Sequence, residues 1–392
     1  MNKVLGKDII ILDGATGTML QQLGLRPGES PLNMNLRAPE LVKQLHETYL
    51  KAGSNIICSN TFSASEHYGK GSDVSEAFIA AIEIAKSAAK PYDALVAADI
   101  GPIGRLLQTF GDLSADEAYE IFAKQAKMAE DAGADIIYFE TMTDILETKI
   151  GILAAKASTS LPVFASMSFE SNGKTFLGCS LSSMALTLQA AGANAVGINC
   201  SVGPNEAIAM AQEIVKWTDL PIIVKPNAGL PATENGVTVY NVTPSEFADT
   251  MSSLPSLGVS LMGGCCGTSP DFISALVNSV KDKAVGERPM PNTSSRCSSS
   301  VVDDGTEPDH SLDCRVSDDA KDAYSDIDDL IDLAMDADDT SLVLYVDGLE
   351  NGREILKNAI TELQAAVKNP LIVESQEADM IAYIDRYYRG KL

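Results

Sequence analysis

Histidine and positive charge are scarce in this chain. Its 392 residues include only 3 histidines, and 29 Lys and Arg stand against 54 Asp and Glu, so that the formal net charge is −25. Proteins contact nucleic acids and anionic membranes through a basic face, so the composition argues against both kinds of partner. With so little histidine, a transition-metal site would have to depend on cysteine thiolates.

Long hydrophobic runs are also missing. No apolar stretch approaches the ~18–20 residues that a membrane-spanning helix requires. The apolar run Ile9–Leu12 ends at Asp13 and Gly14, and it is too short for the core of a signal peptide. The sequence therefore predicts a cytoplasmic protein without a membrane segment. Hydrophobic residues still make up 45% of the chain, which is enough for a substantial core.

The cysteine content points to the same compartment. There are 7 cysteines, and an odd number in a long chain does not fit a secreted disulfide framework. In a reducing compartment such thiols are free, catalytic or bound to metal.

Composition divides the chain into three parts. Residues 1–284 are predicted to form one α/β domain, and residues 322–392 a small α/β segment. Residues 285–321 are polar, rich in Ser, Asp and Pro, and lack apolar periodicity, which predicts an acidic linker.

Short apolar runs alternate with amphipathic or Ala-rich stretches over residues 1–284. The eight predicted strands are Ile9–Leu12, Asn55–Cys58, Leu95–Ile100, Asp135–Phe139, Val163–Phe169, Ala195–Asn199, Ile222–Lys225 and Gly258–Met262. Strands that alternate with helices indicate parallel βαβ units, and eight units of about 35 residues are typical of a (β/α)8 TIM barrel. A doubly wound open sheet is the alternative, although no G-x-G-x-x-G motif follows the first strand.

Polar and thiol side chains stand at the predicted strand ends, where this fold places its chemistry. They are Asp13, Asn60, Thr61, Asp99, Glu140, Cys200, Asn227, Cys265 and Cys266. Because three cysteines belong to this set, we expect their sulfur atoms to lie close together on one face of the barrel.

The most specific motif is Cys265-Cys266, which glycines flank on both sides. Adjacent residues of a strand point to opposite faces, so the two thiolates share one metal only where the backbone bends tightly, and glycine permits that bend. For the pair alone, buried structural thiols or a vicinal disulfide are equally good interpretations. Cys200 at a second strand end favours a zinc site made of three thiolates.

A zinc ion with three thiolate ligands has a distinctive chemistry. One of its four positions stays open, and the thiolates make the metal a poor Lewis acid for activating water. Such a site is suited to a fourth thiolate that remains nucleophilic, because metal coordination removes the proton from a thiol. The predicted reaction is therefore the alkylation of a thiol.

Residues 1 to about 284 resemble the homocysteine S-methyltransferase family, including the homocysteine-binding barrel of cobalamin-dependent methionine synthases. The segments that carry the resemblance, in order, are Leu12–Met19, Ala52–Phe62, Phe139–Met142, Gly197–Pro204, Lys225–Gly229 and Gly263–Thr268. The last three are highly specific in combination.

The resemblance implies roles for the residues at the strand ends. Cys200, Cys265 and Cys266 are expected to bind zinc and to act catalytically through it. Asp13 and Glu140 are expected to hold the ammonium group of homocysteine.

It also implies roles for three polar residues. Asn60 and Thr61 would line the amino-acid pocket, and capping of a turn is the alternative for both. Asn227 would cap the zinc when substrate is absent.

The implied reaction moves a methyl group to homocysteine and produces methionine. The expected donor is methylcobalamin or another methylcorrinoid on a separate protein, because the chain lacks the corrinoid-binding Asp-x-His-x-x-Gly motif. S-methylmethionine and betaine are alternative donors. A zinc-stabilised binding subunit without turnover is the alternative from another class, but a structural zinc normally takes four protein ligands.

Residues 322–392 faintly resemble the opening part of a pterin-binding barrel. The predicted elements are a helix at Asp322–Met335, a strand at Ser341–Val346, a helix at Arg353–Val367, a strand at Leu371–Glu374 and a helix at Ala378–Tyr388. Two or three βα units cannot close a barrel. The segment is therefore either a remnant that docks as a small module or the start of a longer domain.

Overall fold

The structure is a computed structural model of the chain. The residues that it describes are 5–67, 73–108, 110–234, 237–303, 312–315, 328, 331–332, 342–345, 352–375 and 378–392. Most of the helix predicted over Asp322–Met335 lies outside these ranges.

Parallel strands form the centre of the molecule. They are β1 (Ile10–Ile11), β2 (Ile56–Cys58), β3 (Leu95–Ile100), β4 (Ile136–Met142), β5 (Val163–Met167), β6 (Ala195–Asn199), β7 (Ile222–Lys225) and β10 (Leu261–Met262). Between β7 and β10 the chain forms a separate hairpin of β8 (Pro231–Glu234) and β9 (Val237–Tyr240). The sheet order is β1-β10-β7-β6-β5-β4-β3-β2. A parallel bridge between Leu12 and Ile56 joins the two outer strands and closes the sheet. The predicted (β/α)8 barrel is confirmed, and the open-sheet alternative is wrong.

Helices surround the strands. They are α1 (Gly17–Gln22), α2 (Met34–Arg37), α3 (Pro39–Ala52), α4 (Asp73–Ala89), α5 (Ala115–Asp131), α6 (Ile145–Ser158), α7 (Leu181–Ala190), α8 (Pro204–Ile214), α9 (Pro244–Met251) and α10 (Pro270–Val280). Local sequence explains several ends. Asp144 caps α6 by accepting the Leu146 N–H, and Thr243 forms a capping box with Glu246 at the start of α9.

The barrel interior is apolar at its centre and polar at the carboxyl ends of the strands. The central layers include Ile10, Leu12, Ile56, Ala97, Ile136, Phe164, Ala195, Ile223 and Leu261. Side chains alternate along a strand, so residues two positions beyond these also face inward. This alternation aims Asp99 and Lys225, which are both buried, into the interior at the end where the site lies.

The predicted linker is packed in its described part. β11 (Arg296–Cys297) pairs antiparallel with β12 (Val302–Asp303). Cys297 is fully buried, and its Sγ lies 3.4 Å from Oγ1 of Thr187 in α7. Residues up to 303 therefore follow the barrel surface, which their polar composition did not indicate.

The C-terminal region contains a second, small parallel sheet. Its strands are β13 (Leu312–Arg315), β14 (Leu342–Tyr345) and β15 (Leu371–Glu374), in that order, and the helices Gly352–Ala366 and Ala378–Asp385 belong to the same region. The two predicted strands, β14 and β15, and the last two predicted helices are present, with ends that shift by up to three residues, whereas β13 was not predicted and lies within the predicted linker. No helix within the described ranges is both long and apolar enough to cross a bilayer.

Contacts from α5 and α6 join this region to the barrel. Nζ of Lys149 in α6 lies 2.7 Å from Oδ1 of Asp385 and 2.9 Å from the Gly390 carbonyl oxygen. The Tyr387 hydroxyl donates to Oδ1 of Asp116 in α5 at 2.8 Å. The C-terminal segment is thus docked on the barrel.

Candidate metal centre and substrate pocket

Three thiols meet at the carboxyl ends of β6 and β10, the two strands on either side of β7. Cys200 follows β6, and Cys265 and Cys266 follow β10. Their sulfur atoms all lie within 4.8 Å of one another, and the Sγ atoms of Cys200 and Cys266 are 3.8 Å apart. Zinc bound tetrahedrally with Zn–S bonds of ~2.3 Å separates its sulfur ligands by ~3.8 Å. The spacing and the soft donor set both fit zinc.

The backbone around the thiols is unusually bent. Cys200 and Ser201 adopt φ values of 61° and 57°, which are left-handed conformations that non-glycine residues seldom adopt. Gly267 has φ 80°, and a Cβ at Gly264 would collide with the Thr268 side chain. The glycines thus permit the bend that brings two consecutive cysteines to one site, as the motif predicts.

The three thiols share their protons unequally. Hydrogen bonds from Cys265 and Cys266 lower the pKa of Cys200 to about 3. The hydrogen bond with Cys200 raises the pKa of Cys266 to about 11, and the pKa of Cys265 is raised well above its ordinary value for the same reason. The cluster therefore favours one thiolate and two thiols, and a metal would displace the remaining protons.

Tyr240 adds a contact that sequence reasoning missed. It ends β9, its hydroxyl donates a hydrogen bond to Cys266, and its ring packs where a Cβ of Gly267 would lie. Burial, followed by the neighbouring Cys266, raises the pKa of Tyr240 to about 12. No local motif marks this tyrosine, because only the fold of the β8–β9 hairpin brings it over the thiols.

Asn227 lies beside the thiols. Its side chain makes a hydrogen bond that helps lower the pKa of Cys200. The residue is 3% exposed, and its Oδ1 accepts no hydrogen bond from the described residues. Buried amide oxygens usually have partners, so this atom is available for a ligand at the thiol cluster.

A cavity of about 390 Å³ adjoins the thiols. Its wall includes Cys200, Cys265 and Cys266 on one side and Asn60, Asp99, Glu140 and Lys225 deeper in the barrel. Among the predicted site residues, Asp13, Thr61 and Asn227 do not border the cavity. The structure brings all the predicted residues to one end of the barrel but places these three behind the wall.

Glu140 lines this cavity, and Asp13 lies behind its wall beside Lys225. Glu140 lies at a register shift between β4 and β5, two residues beyond Tyr138, which faces the barrel interior. Oδ2 of Asp13 accepts the Cys58 N–H at 2.7 Å, whereas Oδ1 has no hydrogen-bond partner among the described residues. Burial raises the pKa of Asp13 to about 6, although Lys225 acts in the opposite direction.

Lys225 is the second site residue that sequence reasoning missed. Its Nζ lies 2.6 Å from Oε1 of Glu140 and 3.5 Å from Oδ1 of Asp13. Burial, and then the charge of Glu140, raises the pKa of the nearby Asp99 well above its ordinary value. The available signal was a lysine at the end of the apolar run Ile222–Val224, a position where this fold places functional groups.

Asn60 and Thr61 take part mainly in local structure. Nδ2 of Asn60 donates to the Pro31 carbonyl oxygen at 2.7 Å and to Oδ1 of Asn35 at 3.0 Å. Oγ1 of Thr61 donates to the Asp99 carbonyl oxygen at 2.6 Å. These bonds fit the capping alternative, although Asn60 also borders the cavity.

The profile of the homocysteine S-methyltransferase family matches residues 10–280, and the chain belongs to this family. The methionine synthases of Mycobacterium leprae and Mycobacterium tuberculosis are each 28% identical to the chain, over 299 and 309 residues. These alignments cover 71% and 73% of this chain but 25% and 26% of the relatives. The chain thus spans about a quarter of their length.

Solved structures show the same fold. The homocysteine methyltransferase MmuM from Escherichia coli, in its oxidized and metallated forms, superposes with a TM-score of 0.59 at 24% sequence identity. The match covers 69% of this chain and 96% and 95% of those two chains.

Proposed function

We propose that this chain transfers a methyl group to the thiol of homocysteine and releases methionine. Membership of the homocysteine S-methyltransferase family supports this class of reaction. The observation that carries the proposal is the meeting of three cysteine sulfurs at a cavity whose wall includes Glu140. Thiol chemistry and recognition of a cationic amino acid are thereby combined in one pocket.

Cys200, Cys265 and Cys266 are the proposed zinc ligands. A bound zinc ion would keep the substrate sulfur deprotonated at neutral pH. Asn227 is the proposed cap of the centre in the absence of substrate, and its buried, unpartnered Oδ1 supports that role. Tyr240 stabilises the centre through its hydrogen bond to Cys266.

The carboxylates position the substrate. Glu140 and Asp13 attract the ammonium group of homocysteine, which orients its thiol towards the cysteines. Both carboxylates are at least nine-tenths buried, and their attraction for a cation is stronger there than in water. During transfer the sulfur–carbon bond forms as the bond between the methyl group and its donor breaks. The donor keeps the electron pair, and the thiol proton passes to solvent.

The proposed donor is a methylcorrinoid, such as methylcobalamin, on a separate protein. Support comes from the relatives named methionine synthases, of which this chain spans about a quarter, and from the resemblance of residues 322–392 to a pterin-binding barrel. S-methylmethionine and betaine are the other donors to compare. A cytoplasmic location belongs to the same proposal.

The test is a donor comparison with the zinc-loaded full chain and homocysteine. Methylcobalamin, S-methylmethionine and betaine are supplied in separate reactions, and methionine is quantified together with the loss of the methyl–cobalt absorbance. Methionine from methylcobalamin alone supports the whole proposal. If no donor yields methionine and homocysteine leaves the zinc ligation unchanged, the proposed reaction is wrong and the non-catalytic subunit is favoured.

Two cysteine variants serve as a matched pair. Cys265→Ala removes a proposed ligand and is expected to lose zinc and activity together. Cys179→Ala removes a thiol that is buried but lies outside the cluster, and it is expected to keep zinc and activity.

A further inference from the structure

Asn199 directly precedes the first cysteine of the thiol cluster, and its side chain is held in one orientation. The residue is 2% exposed and ends β6. Its Oδ1 accepts the Thr141 N–H at 2.9 Å and the Ser166 hydroxyl proton at 2.7 Å. Because both contacts supply a proton to Oδ1, a flipped amide group would lose them, and the position of Nδ2 is fixed as well.

The fixed amide group directs Nδ2 towards the thiols. Nδ2 lies 2.6 Å from Oγ1 of Thr141 and 3.8 Å from Sγ of Cys265, and it donates to both atoms. An asparagine side chain has two N–H donors, so the two contacts coexist. Cys265 therefore accepts a hydrogen bond from a side chain that the barrel holds in place.

The other two sulfur atoms also have hydrogen-bond donors. The Tyr240 hydroxyl donates to Cys266. Cys200 accepts hydrogen bonds from the Ser201 backbone N–H and from the side chain of Asn227. Each thiol of the cluster thus has a donor from the surrounding barrel, in addition to its contacts with the other two thiols.

These donors bear on a problem of selectivity that the proposed function creates. Three cysteine thiolates and a substrate thiolate would share one zinc ion, and the thiolate is the nucleophilic form of sulfur. If a methyl donor reacted with a cysteine, a sulfur–carbon bond would form there and the leaving group would keep the electron pair. The product is a neutral thioether in place of the thiolate that zinc binds in proteins.

We propose that Asn199 and Tyr240 are positioning residues that suppress methylation of Cys265 and Cys266, so that the methyl group goes to the substrate sulfur. The inference rests on the proposed function, since it concerns the same zinc centre. A hydrogen bond to a thiolate is charge-assisted, and it withdraws electron density from the sulfur. A ligand sulfur with less electron density reacts more slowly with an electrophile, which leaves the substrate sulfur as the preferred site of attack.

The test measures the methylation of each cysteine directly. The zinc-loaded full chain is treated with iodomethane in the absence of homocysteine, and peptide mass spectrometry gives the rate of S-methylation at each of the three cysteines. Iodomethane supplies the methyl group, and iodide leaves with the electron pair. The assay needs no turnover, so its result does not depend on the identity of the biological donor.

Two variants each remove one donor. Tyr240→Phe keeps the ring but lacks the hydroxyl group, so Cys266 is expected to be methylated about tenfold faster while the rate at Cys265 stays unchanged. Asn199→Asp keeps the accepting oxygen but has no N–H group. Because its added charge acts on both sulfur atoms, the ratio of the two rates is compared, and this ratio should shift towards Cys265 by about tenfold.

Tyr387→Phe is the matched control. It removes a tyrosine hydroxyl that donates to Asp116 in α5, outside the thiol cluster, and it should leave all three rates unchanged. A second readout uses cobalt(II) in the place of zinc, because its thiolate-to-metal charge-transfer absorption responds to the electron density on sulfur. Tyr240→Phe and Asn199→Asp should shift this absorption to longer wavelength, whereas Tyr387→Phe should not.

The outcomes are distinct. If the unmodified chain binds no zinc, the proposed function is wrong and this inference falls with it. If folded, zinc-loaded Tyr240→Phe is methylated at Cys266 at the unmodified rate, the inference is overturned and the proposed function stands. An equal increase at all three cysteines in both variants would indicate a loosened centre, and the absence of methylation in every protein would indicate steric exclusion. Either result overturns the inference as well.

Discussion

Replacing Lys149 by methionine is expected to release the C-terminal segment from the barrel. Lys149 is 1% exposed, and its Nζ contacts Oδ1 of Asp385 at 2.7 Å, the Gly390 carbonyl oxygen at 2.9 Å and the Tyr388 carbonyl oxygen at 3.3 Å. Methionine has nearly the same length and fills the same space, but it donates no hydrogen bond. The substitution therefore removes polar contacts between the two regions with little change in packing.

The size of the effect follows from burial. Removing one partner of a buried ion pair costs about 3–5 kcal/mol, because the other charge is left uncompensated. The Asp385 side chain is 33% exposed, so water can partly replace the lysine. The two carbonyl oxygens also lose a donor, at about 1–3 kcal/mol for a buried group. Since such contributions are not additive, we expect the free energy that docks the segment on the barrel to decrease by about 3 kcal/mol, near the lower bound.

Limited proteolysis measures this loss. When docking is fast relative to cleavage, the cleavage rate follows the population of the released segment. A change of about 3 kcal/mol then speeds cleavage within residues 378–392 by roughly 100-fold. Lys86→Met is the matched control, because Lys86 pairs with Asp135 at 2.8 Å but both side chains are partly exposed, at 36% and 28%. An exposed pair contributes at most about 1 kcal/mol.

The comparison can refute the docked arrangement. If Lys149→Met and Lys86→Met are cleaved at the same rate as the unmodified protein, the contacts of Lys149 do not hold the segment in solution. Cleavage of both variants at an equally increased rate would indicate general loosening of the barrel instead.

Other predictions concern the thiol cluster, the pocket and pH. Cys265→Ala should weaken zinc binding by more than about 100-fold, because even outer-shell substitutions cost 10–100-fold; full zinc retention in a metal assay would contradict the ligand assignment. Glu140→Gln should raise the KM for homocysteine by about tenfold with zinc content unchanged, and loss of zinc would instead indicate a structural role. Burial raises the pKa of Glu147 to about 8, so its protonated form is favoured in the folded protein; stability should fall as pH rises from the unfolded pKa of 4.5 towards 8. In Glu147→Gln the side chain still accepts the Ile103 N–H but no longer titrates. Denaturant titrations from pH 5 to 9 should therefore show a smaller decrease of the unfolding free energy with pH than in the unmodified protein. An unchanged decrease would assign the pH dependence to other groups.

Much of the barrel could be read from local patterns. The predicted strands at Ala195–Asn199 and Ile222–Lys225 have the observed bounds, because short apolar runs there are bordered by turn-forming residues. The outer runs Ile9–Leu12 and Gly258–Met262 give strands of only two residues, since regular pairing is limited to Ile10–Ile11 and Leu261–Met262. Periodicity identifies strands better than it identifies their ends.

The meeting of the three thiols was also predictable. Parallel strands place their carboxyl ends on one face, and β6, β7 and β10 are neighbours in the sheet. Cys200, Cys265 and Cys266 therefore had to approach one another once the barrel formed. The glycines around Cys265 indicated the bend, because few other residues tolerate it.

Contacts between distant segments could not be read in the same way. Lys225 meets Glu140 across 85 residues of sequence, and Lys149 meets Asp385 across 236. Neither pair leaves a local pattern, because the partners are set by barrel closure and by the docking of the C-terminal segment. Strands and their order along the chain can be predicted from the sequence, because they follow from the hydrophobic periodicity of short segments. The pairing of a buried lysine depends on which distant charges the fold brings within a few ångströms, and it emerges only when the whole chain is packed.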